Sequence, residues 1–274
     1  MNHEEAYRLA FFVGVFVLMA SFELLWPRRA RPLPRLRRWP NNIGIAMIDT
    51  FLARIVLPMG ATGIAFIAEH HGWGLFNIVL MPRAISVITS CFILDLVIYA
   101  QHWLFHQVPF LWRLHRMHHA DLDVDVSTGA RFHPLEILLS LGIKSVAIIV
   151  IGAPALGVLI FEILLNATSM FNHSNVRIPA SLESMLRMFV VTPDMHRIHH
   201  SILTSETNSN YGFNLSWWDR LFATFRAEPK EGHEHMTLGI QQFRDPKELR
   251  IDRLLAQPFR NSECHSVADS KDLR

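Results

Sequence analysis

Polar and apolar residues fall in long blocks along this chain rather than alternating residue by residue. Residues 7–26, YRLAFFVGVFVLMASFELLW, form a run that meets the length of about 20 apolar residues a helix needs to cross a bilayer core. The start MNHEEA is acidic and no small-residue cleavage site follows, which predicts a retained span rather than a cleaved signal. Glu23 falls near its end, within reach of the interface. PRRARPLPRLRRWP (27–40) carries Arg28, Arg29, Arg31, Arg35, Arg37 and Arg38, and its four prolines predict a basic loop rather than a helix. Such a loop places residue 40 on the cytoplasmic side.

A second apolar stretch, 43–69, runs back out. Pro58 and Gly60 are placed to kink it, and Asp49 and Arg54 read as an ion pair or an interfacial pair. HHGWGLFNIVLMPR (70–83) is too short for a span and predicts an interfacial or re-entrant turn, with His70 and His71 on the outer side and not ligands. Residues 84–106 form a third span running inward. The apolar block 135–171 is interrupted at Gly152, Pro154 and Gly157, so it predicts two half-length helices or a tight hairpin that returns the chain to the side it left. Lys144 within it reads as a snorkelling side chain. YGFNLSWWDRLFATF (211–225) predicts an amphipathic interfacial helix or lid, and 261–274 a disordered end.

The expected fold is all-α: a multi-pass membrane helical bundle of about four spans with a cytoplasmic, histidine-rich di-metal cap. The expected organisation is 1–40, a span and basic loop; 41–228, a membrane-embedded catalytic domain; and 229–274, a C-terminal tail. Composition agrees, since 18% of residues are charged against about 25% in soluble domains. A net charge of +2 gives no reason to expect nucleic acid. Cys91 and Cys264 provide neither a disulfide framework nor a CxxC metal motif.

Histidine is the anomaly, at 16 of 274 residues. HRMHH holds His115, His118 and His119; HRIHH holds His196, His199 and His200; QHWLFH holds His102 and His106. On a helix, residues three and four apart share a face, so each box presents two or three imidazoles together. One tetrahedral metal takes four ligands, so eight imidazoles imply two metals. The predicted topology brings all three boxes to one membrane side. His173 and His133, at the inner ends of the 135–171 block, are further candidate ligands; His3, His233, His235 and His265 read as surface residues. Asp95 and Tyr99 lie on one helix stripe with His102 and His106. An acid inside a span is a functional candidate by default; Asp95, Tyr99 and Asn166 are the candidate catalytic residues. Asp95 and Glu136, with Asp194 and Asp219 behind them, are candidates to hold the ligand tautomers. The sequon at Asn166 lies in an apolar segment, so glycosylation is not expected.

HxxxH, HxxHH and HxxHH in that order among apolar spans resemble the fatty acid hydroxylase superfamily, also called the sterol desaturase family. DLVIYAQHWLFH, LWRLHRMHHAD, TGARFHPLE, NHSNVRIP, TPDMHRIHHS, NYGFNLSWWDRLFATF and LLAQPF extend the resemblance over roughly residues 40–260. It implies a non-haem di-iron enzyme that hydroxylates or desaturates a C–H position of a lipid taken from the bilayer, using O2 and two electrons. It implies as ligands the eight box histidines, with His173 matching a frequent further one. Some members carry another histidine where Ser169 stands, and His133 is the candidate to replace it. The family often has glycine at the position of Ala223. No electron-carrier motif appears, so a separate ferredoxin- or cytochrome-type donor with its reductase is expected. The competing readings are a membrane metal transporter or sensor, with ligands strung across the bilayer, and a metal-dependent hydrolase.

Overall fold

The computed structural model describes residues 3–79 and 81–261. Among these there are no strands. Five long elements set the architecture: α1 (His3–Leu25), α2 (Arg35–Val56) with α3 (Gly60–His70) and the short α4 (Leu75–Ile78), α5 (Arg83–Gln107), α7 (Pro134–Ile151) and α8 (Ala155–Asn172). Between α5 and α7 comes α6 (Pro109–His119). After α8 the helices are short: α9 (Ala180–Leu186), α10 (Pro193–His199), α11 (Thr204–Thr207), α12 (Trp217–Leu221), α13 (Gly232–His235) and α14 (Ile251–Ala256). Five segments are long and apolar enough to cross a membrane: 4–25, 35–78, 83–107, 134–151 and 155–172. Phe11, Phe51, Val146 and Val150 are all more than half exposed. Such a surface suits lipid, not water, and the chain is an integral membrane protein.

The bundle packs around α8, which touches α1, α3 and α5, while α7 lies against α2, α3 and α5. Leu94 and Ile98 of α5, Val158 and Phe161 of α8, Ile148 and Ile151 of α7, and Ala61 and Ala65 of α3 form its main core. The 135–171 block is a hairpin of two 18-residue arms, each about 27 Å long, and so longer than half-length helices. It turns at Gly152, whose φ of 70° is a conformation other residues rarely adopt. A Cβ there would also lie 2.9 Å from the Trp73 carbonyl, so the 72–74 turn seats directly on the hairpin.

Several polar expectations change. The segment 27–40 does not stay a loop: α2 begins at Arg35 and contains Pro40. A proline there leaves only the Leu36 carbonyl without its helical partner, and Leu36 is 88% exposed, where that carbonyl can be solvated. Four of the six arginines, Arg28, Arg31, Arg35 and Arg38, are paired with carboxylates. Arg38 is fully buried, bonding Asp121 through Nε and Nη2 at 2.8 and 2.7 Å and Asp125 through Nη1 at 2.7 Å. Burial disfavours the Asp121 anion, but Arg38 and Arg131 outweigh it and hold its carboxyl below the usual range. Arg28 reaches Asp194, and Arg31 and Arg35 reach Glu23. Glu23 is not at an interface with water. It is fully buried and accepts the N–H groups of Val126 at 2.7 Å and Asn175 at 2.9 Å, tying α1 to the loops on either side of the hairpin.

Asp49 and Arg54 do not pair: Arg54 meets Glu5 at 2.8 Å, and Asp49 is buried. Lys144 does not snorkel; it bonds Glu162, which also meets Arg8 at 2.7 Å. The chain beyond 229 is folded as far as Phe259. Leu254 packs with Ile45 and Met117, and Arg113 holds the Pro258 carbonyl at 2.7 Å. Of the expected disordered end, 262–274 lies outside the described residues, as do Cys264 and His265.

The 211–225 segment is a loop closed by one helical turn, α12, rather than a long amphipathic helix. It ends on Ala223 at φ 55°, a left-handed conformation costing a residue with a Cβ about 1–2 kcal/mol. Ala223→Gly is therefore expected to stabilise the protein, raising Tm by roughly 2–4 °C per kcal/mol gained. Thermal unfolding in detergent measures it; an unchanged or lower Tm would show that the site imposes no strain.

Candidate functional site

Three helix ends and one helix C-cap build a single buried cluster. α5 delivers His102 and His106 in its last two turns, α6 ends in His115, His118 and His119, and α10 with its cap carries His196, His199 and His200. His173 caps α8. The nitrogens fall into two groups, each with all its ligand atoms within 4.8 Å of one another. One holds His102, His106, His115, His119 and His199; the other holds His118, His173, His196 and His200. Each HxxHH box is shared between them. The first box gives its i, i+4 pair to the five-histidine group and its i+3 residue to the other, and the second box does the reverse. The groups touch, with the His119 and His200 rings stacked at 4.4 Å.

In five of the nine rings the outward Nδ1 is held by a carbonyl or carboxylate, whereas His196 Nδ1 is buried without a partner. His102 Nδ1 donates to the Tyr211 carbonyl at 2.7 Å, His118 Nδ1 to that of Arg131 at 2.9 Å, His173 Nδ1 to that of Ser169 at 2.6 Å and His199 Nδ1 to that of Ser209 at 2.7 Å. His115 Nδ1 lies 2.7 Å from Glu136 Oε1. With the proton at Nδ1, Nε2 presents a lone pair inward. The Nε2 atoms of His102 and His115 are 3.1 Å apart, those of His199 and His102 3.0 Å, and those of His118 and His173 3.0 Å. Lone pair faces lone pair with no proton between. In addition, His106 Nε2 and both ring nitrogens of His200 are buried without a partner. A cation resolves both features. Imidazole nitrogens bound at ~2.0–2.1 Å around one tetrahedral ion lie roughly 3.3–3.4 Å apart, close to these spacings. The donor set therefore fits two metal ions of the kind imidazole favours.

Burial, reinforced by neighbouring imidazoles, holds His118, His119, His196 and His200 well below the ordinary range; burial takes His173 down to about 4 and His199 to about 3. These shifts favour the neutral form of those six rings, the form a metal ligand needs.

Other candidates fall elsewhere. His133 joins neither group: its Nδ1 accepts from Leu135 N–H to cap α7, and its Nε2 faces the Leu255 carbonyl. Its helix-capping role turns the ring away, so it does not replace the histidine absent at Ser169. Asp95 touches no histidine; it accepts from Trp218 Nε1 at 2.8 Å and Leu215 N–H at 3.2 Å, anchoring the 211–225 loop. Tyr99 bonds Thr224 at 2.8 Å, Thr224 bonds Asp219, and Asp219 accepts the amides of Tyr211 and Gly212. This chain sets the carbonyl that holds His102. Asn166 is turned back onto the Glu162 carbonyl of its own helix. Asp194 pairs with Arg28 and Arg197. Of the four proposed carboxylates only Glu136 contacts a ligand candidate. His70 and His71 are exposed and outside both groups, whereas His233 is buried near Asp194 rather than at the surface. Sequence reasoning missed Asn208, 3.2 Å from His106 Nδ1, and the backbone carbonyls, which carry no side-chain signal.

Two outcomes follow. Glu136→Ala is expected to weaken metal affinity by roughly 10–100-fold, measured by competition with a chelator; unchanged affinity would remove Glu136 from the site. For the ion-free protein, histidines with lowered folded pKa stay neutral while their unfolded counterparts take up protons below about 6.5. Stability is then present above that value and lost on acidification, by up to about 1.4 kcal/mol per histidine per pH unit. Tm is expected to be level from pH 8 to 7 and to fall steeply below 6.5; a flat profile down to pH 5 would contradict the buried, neutral rings.

The comparisons with known proteins bear on this geometry. Residues 87–224 match the fatty acid hydroxylase family, a segment that holds all nine clustered histidines. The chain is 32% identical over 228 residues to ornithine lipid hydroxylase OlsE of Rhizobium tropici, covering 80% of this chain and 67% of that protein. It is 25% identical over 248 residues to alkylglycerol monooxygenase of Homo sapiens, covering 90% of this chain and 53% of that protein. Identity to sphinganine C4-monooxygenase 1 of Arabidopsis thaliana is 27% over 181 residues, covering 65% of this chain and 66% of that protein. No solved structure matches. With its three boxes gathered into one cluster inside the matched segment, the chain belongs to the fatty acid hydroxylase family.

Proposed function

We propose that this protein is a di-iron monooxygenase that hydroxylates a C–H position of a membrane lipid. The observation that carries the proposal is the pair of histidine groups whose ring nitrogens converge, with the Nδ1 of five rings held on the outside by carbonyls and Glu136. The nine clustered histidines would hold two iron ions, which supply when bound the oxidising power toward C–H bonds that amino acids lack. The balance is R–H + O2 + 2 e⁻ + 2 H⁺ → R–OH + H2O. Relatives named as lipid hydroxylases and monooxygenases favour this outcome over desaturation. The 41–228 region carries the chemistry, and the run of arginines at 28–38 supports a cytoplasmic position for the cluster. A separate ferredoxin- or cytochrome-type protein with its reductase provides the electrons.

The protein's own residues bind, orient and exclude water. Tyr211, Arg131, Ser169 and Ser209 carbonyls and Glu136 keep five of the nine imidazoles in one tautomer. Phe132 stacks on His118 at 4.3 Å, and Phe213 lies 5.0 Å from His102 and 6.0 Å from His196, giving the cluster an apolar wall. A lipid chain arriving between the helices would meet that wall, where water is excluded.

The test is a lipidome comparison of cells expressing wild type and His118→Ala, with metal analysis of purified protein. A lipid heavier by one oxygen, lost in the variant, together with two irons per chain, is the expected result. Zinc in place of iron with no oxygen consumed would favour a hydrolase instead.

A further inference from the structure

Of the nine clustered histidines, only His106 keeps part of its surface accessible. A cavity of about 250 Å³ opens beside it, lined by His106, Trp112, Thr204, Thr207, Asn208 and Gln242 among others. Every one of these except His106 lies outside the five apolar segments. Trp112 forms one wall and touches the five-histidine group directly, its ring 4.9 Å from His106 and 5.3 Å from His119. Asn208 faces the cavity while bonding His106 Nδ1. Thr204 at the start of α11, Asn208 and Gln241 are exposed and form the rim.

The far side of the cluster has the opposite character. There the histidines meet Phe132 and Phe213, and Phe213 continues into the apolar core of α5, α7 and α8. One cluster thus has an apolar wall on one side and, beside His106, an opening lined by side-chain hydroxyls and amides together with Trp112, Ile202 and Ile240. A reaction of the proposed kind needs both. Its lipid is insoluble in water, yet it takes up two protons and releases one water molecule per turnover, neither of which crosses an apolar wall readily.

We propose that the cavity beside His106 is an aqueous port to the five-histidine centre. Through it pass water, protons and small inorganic anions, separately from the lipid. The inference rests on the reading of the two groups as metal centres. Cations held by neutral imidazoles keep their full positive charge, so small anions are the ligands the port should admit best from solution. The rim residues need only make room and hydrogen bonds, and none of Thr204, Gln241 or Gln242 is in either histidine group.

The experiment uses the full chain in lipid nanodiscs with its metal bound, sodium azide as the anionic probe and ferrozine as a water-soluble chelator. Thr204→Trp and Gln241→Trp fill the rim at two separate positions, and Thr204→Ala widens it. Both tryptophan variants are expected to keep full iron content while slowing azide binding and ferrozine extraction roughly tenfold or more, as when a passage must first open. Thr204→Ala should slow neither. Unchanged rates in both tryptophan variants at full metal content would overturn the port. If wild type hydroxylates lipid but the plugged variants exchange azide freely, the port fails and the oxygenase reading stands. If plugging slows exchange on a metal-loaded protein that forms no hydroxylated lipid, the port stands and the oxygenase reading fails. A wild-type chain that holds neither iron nor added cobalt(II) overturns both.

Discussion

The structure depends on where one proton sits on each imidazole. A buried histidine can point either ring nitrogen inward, and only a hydrogen bond to the other nitrogen decides which. Here four backbone carbonyls and one carboxylate make that decision for five of the nine rings. The backbone around the cluster is shaped to put those carbonyls in place. Asp219 gathers the amides of Tyr211 and Gly212. Gly129 lets the 128–130 turn approach so closely that a Cβ would lie 2.6 Å from the Ser169 carbonyl oxygen. That contact, with the Ser169 hydroxyl donating to the Gly129 carbonyl at 2.8 Å, ties the turn before Arg131 to the end of α8 that carries Ser169.

The same carbonyls must be held against the membrane helices, and charge does this. Arg38, Asp121 and Asp125 are all fully buried. A buried ion pair is weak evidence of net stability, because desolvation opposes the attraction. Its geometric content is clearer: Arg38 leaves α2 and grips the loop after α6 at two points, through both of its terminal nitrogens and Nε. Glu23 does the equivalent for α1, reaching the loops before α7 and after α8. Together they fix the cap to the bundle alongside the apolar contacts of Val126 with Met19 and Met170 and of Leu254 with Ile45 and Met117.

The helical class and the clustering of the boxes were legible because both rest on side-chain spacing. Apolar runs of span length and histidines three and four apart are properties of the string itself. The 211–225 segment and the arginine run were harder. Six arginines beside a span satisfy the positive-inside pattern whether or not they pair, and nothing local in DLDVDV names Arg38 as its partner. Asp95 was placed near His102 by helical periodicity, yet periodicity does not say which neighbour fills the space, and Trp218 arrives from far along the chain to take the carboxylate. Likewise His133 shares a stretch with Glu136, but Pro134 starts a helix there and makes His133 its cap.

The exchange of i+3 residues between the two boxes links the groups thermodynamically. Neither group draws its histidines from one helix: α6 and α10 each supply both. An ion captured by either group orients both helices and thereby places ligands of the other. The second ion then meets side chains whose rotamer freedom has already been lost, and its binding carries a smaller entropic cost. If the two groups hold ions as proposed, this shared ordering favours filling the second group once the first is filled.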